Sequence, residues 1–168
     1  MKVGVLSDTH GRLDAAKAAV AALRERGAER FVHCGDAGEA VLDWLGTEAM
    51  ARGWDVVWAW GNCDNGAAWR PDPFGVRGGR APSWSWGGKR LAAMHGSDWR
   101  ALDGAVASGL YDYVFTGHTH CPEDRMEGGT RVLNPGSAAM PRDGKGPRCL
   151  LLDLESGEVE WVFPGGGR

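Results

Sequence analysis

The chain has 168 residues, 43% of them hydrophobic, and a formal charge of −3, which fits one globular domain spanning 1–168 and gives no electrostatic drive toward nucleic acid or anionic membrane. No stretch approaches the roughly 20 apolar residues of a membrane span, and the N-terminus turns polar too early for a signal-peptide core. The four cysteines (34, 63, 121 and 149) are too widely spaced for a zinc ribbon or a disulfide framework, so a cytoplasmic protein with reduced thiols is expected.

Val3 to Ser7 reads as a short buried strand. Leu13 to Arg26 carries Leu13, Ala16, Val20 and Leu23 at helical spacing, with Gly27 as its stop. Arg30 to His33 is a second strand, Glu39 to Arg52 a second helix, and Asp55 to Trp60 a third strand. That β-α-β-α-β order predicts parallel strands with right-handed crossovers. The stretch 65–90 is loaded with Gly, Pro, Arg and Trp, and offers only Trp84-Ser85-Trp86 as an edge or hairpin strand. Arg90 to Met94 follows as a strand, Trp99 to Ser108 as a third helix and Asp112 to Thr116 as a strand. Beyond it come strands without helices: Glu123 to Glu127, Thr130 to Leu133, Cys149 to Leu154 and Val159 to Phe163. Their turn signals predict antiparallel hairpins. The tail 165–168 is expected to fray.

Polar clusters follow the apolar runs: Asp8-Thr9-His10-Gly11, Gly35-Asp36, Gly61-Asn62-Cys63-Asp64, His95-Gly96 and Gly117-His118-Thr119-His120. In open α/β sheets, ligands bind beyond the carboxyl ends of the strands, so five loops can converge on one crevice. Four of the five histidines lie in these clusters. Imidazole, carboxylate and amide oxygen together suit Mn²⁺, Fe²⁺, Co²⁺, Ni²⁺ or Zn²⁺. Asp8, His10, Asp36, Asn62, His95, His118 and His120 are too many ligands for one such ion. They suit two ions sharing a carboxylate, the usual clamp for in-line displacement at phosphorus. Taken alone, each cluster has a plainer explanation; Asp8, for instance, is a fair helix N-cap. His33 lies inside its strand and is expected to be a core or supporting residue.

The ordered series, completed by Asn134-Pro135-Gly136-Ser137, resembles the calcineurin-like metallophosphoesterase superfamily, and within it the small single-domain phosphodiesterase branch. The resemblance spans residues 4 to 137 and implies an α/β fold, a four-layer sandwich of two mixed β-sheets flanked by helices. It implies that Asp8, His10 and His120 hold one ion, that Asn62, His95 and His118 hold the other, and that Asp36 bridges. It further implies that a hydroxide shared by the ions attacks phosphorus in line, with Mn²⁺ the leading metal and a small phosphate ester the substrate. Asp36, Asn62, His95 and His118 are then the catalytic core. The Asn134 to Ser137 turn is expected to brace the histidine loop.

One departure bears on chemistry. Phosphoprotein phosphatases of this superfamily carry a His after the motif Asn, the usual proton donor to the leaving group. Here Cys63 and Asp64 follow Asn62, which matches the small phosphodiesterase branch and leaves the general acid unassigned. Asp64, Cys63 and His33 are expected to support neighbours rather than bind metal, and Cys34, Cys63 and Cys121 to fill space beside the sheet. Trp84, Trp86 and Arg70 are the substrate-rim residues the sequence offers, by stacking and phosphate pairing. The preferred competing role for these indoles is to cover a hydrophobic sheet face. The alternative function is a non-catalytic protein-binding scaffold like the Vps29 retromer subunit, which shares this fold but departs from the full ligand set. Oligomeric state cannot be read from the sequence.

Overall fold

In the computed structural model, residues 1–64 and 76–165 are described. β1 (Lys2–Leu6), β2 (Arg30–His33), β3 (Asp55–Ala59) and β4 (Val76–Gly79) run parallel, with α1 (Leu13–Glu25) and α2 (Glu39–Arg52) as the first two crossovers. β10 (Cys149–Asp153) pairs antiparallel with β1, and β11 (Val159–Val162) with β10, completing a six-stranded sheet ordered β11-β10-β1-β2-β3-β4. The second sheet is five-stranded. It comprises β5 (Ser83–Trp86), β6 (Lys89–Ala93), β7 (Tyr113–Phe115), β8 (Pro122–Glu127) and β9 (Thr130–Pro135), in the order β5-β6-β7-β9-β8, with α3 (Trp99–Ala107) after β6. Both sheets are mixed.

Strand alternation builds the layers, because successive side chains point to opposite faces. In β1, Val3 and Val5 enter the core between the sheets, while Leu6 faces the helices. In β2, Val32 goes between the sheets and Phe31 under the helices. The second sheet sends Leu91, Ala93, Phe115 and Leu133 inward against the first. Its outer face puts Ala92, Val114 and Val132 against Val106 of α3. The order from one side to the other is therefore α1 and α2, six-stranded sheet, five-stranded sheet, α3, the four layers expected.

Two features were not legible. β4 reads Val-Arg-Gly-Gly, and its two glycines give no alternation to detect. It is a strand because it pairs with β3 (Val56 with Val76, Ala59 with Gly79). The final hairpin also returns to the first sheet, placing β10 beside β1 in its interior. Among the described residues no helix is long and apolar enough to cross a membrane.

This topology puts the carboxyl ends of β1, β2 and β3 at the same end of the sandwich as those of β6 and β7. Backbone bonds lock the loops there: Asp8 N–H to Gly35 O at 3.0 Å, and Gly117 N–H to His95 O at 3.0 Å. The two sheets meet where His118 N–H donates to Asp8 Oδ2 at 3.0 Å.

Candidate functional site

The strand ends turn sharply into their loops. Among the described residues, five non-glycine residues have positive φ: Asp8 at 53°, His10 at 46°, Asp36 at 51°, His118 at 66° and His120 at 60°. All five belong to the predicted ligand set. A non-glycine residue held there costs on the order of 1–3 kcal/mol and persists only where its surroundings enforce it. Two glycines let the carboxylates into the corner. A Cβ at Gly61 would overlap Asp36 Oδ1 and the Asp36 nitrogen, and one at Gly117 would overlap Ser7 Oγ.

All seven predicted ligands lie at this one end of the fold. The donor atoms of Asp8, His10 and His120 lie within 4.8 Å of one another, as do those of Asp8, Asp36 and His95. His120 Nε2 is 3.2 Å from Asp8 Oδ1 and 3.3 Å from His10 Nε2. His95 Nε2 is 3.1 Å from Asn62 Oδ1 and 3.4 Å from Asp36 Oδ2. Asp36 Oδ2 is also 3.9 Å from His10 Nε2, so it stands between the two groups. The His118 ring packs edge-on to His95 at 5.1 Å between centroids.

Hydrogen-bond polarity decides what these groups can hold. His120 Nδ1 is 2.6 Å from the Met140 carbonyl, and His95 Nδ1 is 2.8 Å from the Cys34 carbonyl. A carbonyl only accepts, so both Nδ1 atoms carry hydrogen. With Nδ1 so occupied, a ring in its neutral form aims an Nε2 lone pair inward, at carboxylate or amide oxygens that also only accept. Asp8 is fully buried. Its Oδ2 accepts from Ser7 Oγ at 2.5 Å and from His118 N–H, whereas Oδ1 has no hydrogen-bond partner. Converging acceptors around an unpartnered carboxylate oxygen are the donor set of a divalent cation.

The local charges agree. Burial opposes ionisation of Asp36, yet hydrogen bonds from His95 and from Cys63 hold its carboxyl well below the usual carboxylate range. Burial also opposes charge on His95, but the Asp36 and Cys34 bonds outweigh it and raise the imidazole's pKa. A proton on His95 thus occupies the same lone pair that a metal would take. Burial, then the charge of His95, lowers His118.

The supporting residues act through the backbone. Asp64 accepts from Gly61 N–H at 2.8 Å and from Gly38 N–H at 3.2 Å, tying the Asn62 loop to the start of α2. His33 Nδ1 accepts from Gly35 N–H at 3.3 Å, so its Nε2 donates to Thr9 Oγ1 at 2.9 Å. Thr9 passes its own hydrogen to Ala37 O. Asn134 Nδ2 donates to Gly117 O at 2.8 Å, and Ser137 Oγ to Asp8 O at 2.8 Å, so that turn braces two loops.

Several expectations are corrected. Asp8 caps no helix; α1 begins after Arg12 without a side-chain cap. Cys34 is buried, but Cys63 is exposed and fills no core space. Its N–H donates to Asp36 Oδ1 at 2.8 Å, and the thiol's interaction with Asp36, helped by burial, pushes the thiol pKa up to about 11. Trp86 and Trp84 do not rim the site. Trp86 is 5% exposed, pairs with Lys89 at the far end of β6, and donates to Asp55 Oδ2. Trp84 stacks on Phe115 in the core between the sheets. Alternation in β5 sends both rings inward. Arg70 lies outside the described residues. The Cys34 and Met140 carbonyls are backbone groups with no signature in the residue pattern, and Ser7 reads there as an ordinary strand-end serine.

The fold and the acceptor cluster together define a phosphoesterase scaffold: the calcineurin-like phosphoesterase superfamily domain matches residues 1–157, and the chain belongs to that family. It is 26% identical to Phosphodiesterase MJ0936 of Methanocaldococcus jannaschii, an alignment covering 96% of this chain and 98% of that one. Among solved structures, a novel archaeal phosphodiesterase superposes with a TM-score of 0.84 at 26% identity, covering 97% of this chain and all of the other (100%). Vps29 from Entamoeba histolytica shares the fold at a TM-score of 0.61 and 24% identity, over 97% of this chain and 99% of that one.

Two outcomes follow from the strained backbone and the buried imidazole. In metal-free protein, His118→Gly will be more stable than His118→Ala by about 1 kcal/mol, because both lose the ring and only glycine relieves the positive φ; urea unfolding with chelator present measures the difference. Burial, the largest cause, lowers His33 from 6.5 to about 4. The unfolded chain therefore takes up this proton before the folded one does, and the stability is full above pH 6.5 and lost as pH falls toward 4. Between pH 7 and 4.5 the wild type will lose roughly 2–3 kcal/mol that His33→Gln does not lose, read from paired urea titrations.

Proposed function

We propose that this chain is a divalent-metal-dependent phosphodiesterase that cleaves small phosphodiesters by in-line attack of a hydroxide. The observation that carries this reading is the buried, unpartnered Asp8 Oδ1, 3.2 Å from the Nε2 of His120, whose Nδ1 hydrogen is taken by Met140 O, and 3.9 Å from His10 Nε2. Family membership supplies the reaction class, and the similarity to phosphodiesterases supports the diester preference.

In this reading Asp8, His10 and His120 would hold one ion and Asn62, His95 and His118 the other, with Asp36, which stands between the two groups, serving both. When bound, the ions acidify water toward neutrality and neutralise charge on the phosphoryl oxygens. Mn²⁺ is the leading candidate, with Fe²⁺, Co²⁺, Ni²⁺ and Zn²⁺ suited to the same donors. The chain's own residues do the positioning. Cys34 O and Met140 O fix the tautomers of His95 and His120, so that Nε2 of each ring stays available as an acceptor. Cys63 N–H holds one oxygen of Asp36 and leaves Oδ2 facing the histidines. The thiol at position 63 is a poor proton donor, with a pKa of about 11, so leaving groups of low pKa are favoured. The free thiols are consistent with work in the cytoplasm.

The shared fold keeps a Vps29-like protein-binding scaffold as the competing function, and one assay separates the two. Chelator-treated protein supplied with Mn²⁺ will hydrolyse bis(p-nitrophenyl) phosphate, and Asp36→Ala and His118→Ala will each lower kcat/KM at least ~100-fold. A folded wild type that turns over no ester with any divalent ion would support the scaffold instead.

A further inference from the structure

Arginine pairing singles out one side chain. Among the described residues, every arginine except Arg80 and Arg142 has an acidic or aromatic partner. Of those two, only Arg142 touches the histidine loops. Its Nη1 lies 3.4 Å from His118 O, and its N–H donates to His120 O at 3.3 Å.

The segment that carries Arg142 is fixed to the acceptor cluster. Ser137 Oγ donates to Asp8 O and accepts from the N–H groups of Ala139 and Met140, at 3.1 and 2.7 Å. Met140 O accepts from His120 Nδ1. The Arg142 backbone is therefore referenced to both Asp8 and His120, while its side chain is exposed. A guanidinium has five N–H donors, and one long bond to a neutral carbonyl leaves most of them free.

The nearby carboxylates do not claim this charge. Asp8 is turned to Ser7 Oγ and His118 N–H, Asp36 to Cys63 N–H and His95, and Asp64 to the Gly61 and Gly38 N–H groups. Asp143, the next residue, pairs with Arg148 at 2.8 Å. An unpaired planar cation at the edge of a cluster built for phosphoryl chemistry matches two oxygens of a phosphate group.

We infer that Arg142 is a substrate-binding residue that pairs with a non-bridging oxygen of the substrate's phosphoryl group. This rests on the phosphoesterase function proposed above. Arg142 then favours phosphate esters that keep an unhindered oxyanion for it to pair with.

The test compares wild type, Arg142→Ala and Arg142→Lys, all loaded with Mn²⁺. Inorganic phosphate binding is measured by calorimetry, alongside kcat/KM for bis(p-nitrophenyl) phosphate, Mn²⁺ affinity and melting temperature. Arg142→Ala will weaken phosphate binding roughly 10- to 100-fold with Mn²⁺ affinity and melting temperature held, and Arg142→Lys will recover part of the loss. Phosphate affinity unchanged in Arg142→Ala overturns the inference. So does a wild type that binds no phosphate, or a variant that loses Mn²⁺ together with phosphate, which would make Arg142 a strut for the histidine loop. Phosphate binding that depends on Arg142 in a protein without turnover would uphold this site and reject the phosphodiesterase. Turnover unaffected in Arg142→Ala, with phosphate affinity also unchanged, would do the reverse.

Discussion

A buried carboxylate oxygen with no donor is the constraint to which the rest of this molecule answers. Asp8 has no solvent exposure, and its Oδ1 meets only imidazole nitrogens. Leaving such an oxygen unpaired costs about 1–3 kcal/mol, and more when it is charged. The Met140 carbonyl takes the Nδ1 hydrogen of His120, so the neutral ring presents a lone pair at Nε2. Cys34 O does the same to His95 on the other side of Asp36. Two carbonyls thus create a region of converging acceptors, which a cation satisfies and a neutral protein cannot.

The sandwich exists in a form that can impose this. Parallel strands in both sheets end at the same end of the molecule, and the loops leaving them pass through left-handed residues that are not glycine. That strain is tolerable because the strands beneath are fully buried: Val3, Val5, Val32, Leu91 and Phe115 anchor them in the core between the sheets. The Asn134 to Ser137 turn then clamps loops from opposite sheets, reaching Gly117 with one end and Asp8 with the other. Stability is concentrated in the layers, and strain at the rim where the chemistry would occur.

Much of this was visible in the sequence. The ends of β2 and α2 fall where expected, since His33 and Arg52 are each followed by a clear change of pattern. The polar clusters were legible because each follows an apolar run and stands beside a glycine. What escaped detection did so for separate physical reasons. β4 has too few side chains to show a period, and the joining of β10 to β1 depends on long-range pairing. The tautomer-setting carbonyls belong to the backbone, which composition does not reveal. Trp84 and Trp86 were ambiguous because alternation gives two faces and does not say which one meets the other sheet.

The most direct test is the anomalous scattering of crystals grown with Mn²⁺. The account predicts two peaks per chain: one bonded to Asp8, His10 and His120, the other to Asn62, His95 and His118, with Asp36 reaching both. A crystal saturated with Mn²⁺ that shows no peak there, with Asp8 Oδ1 hydrogen-bonded to a protonated His120 instead, would contradict it.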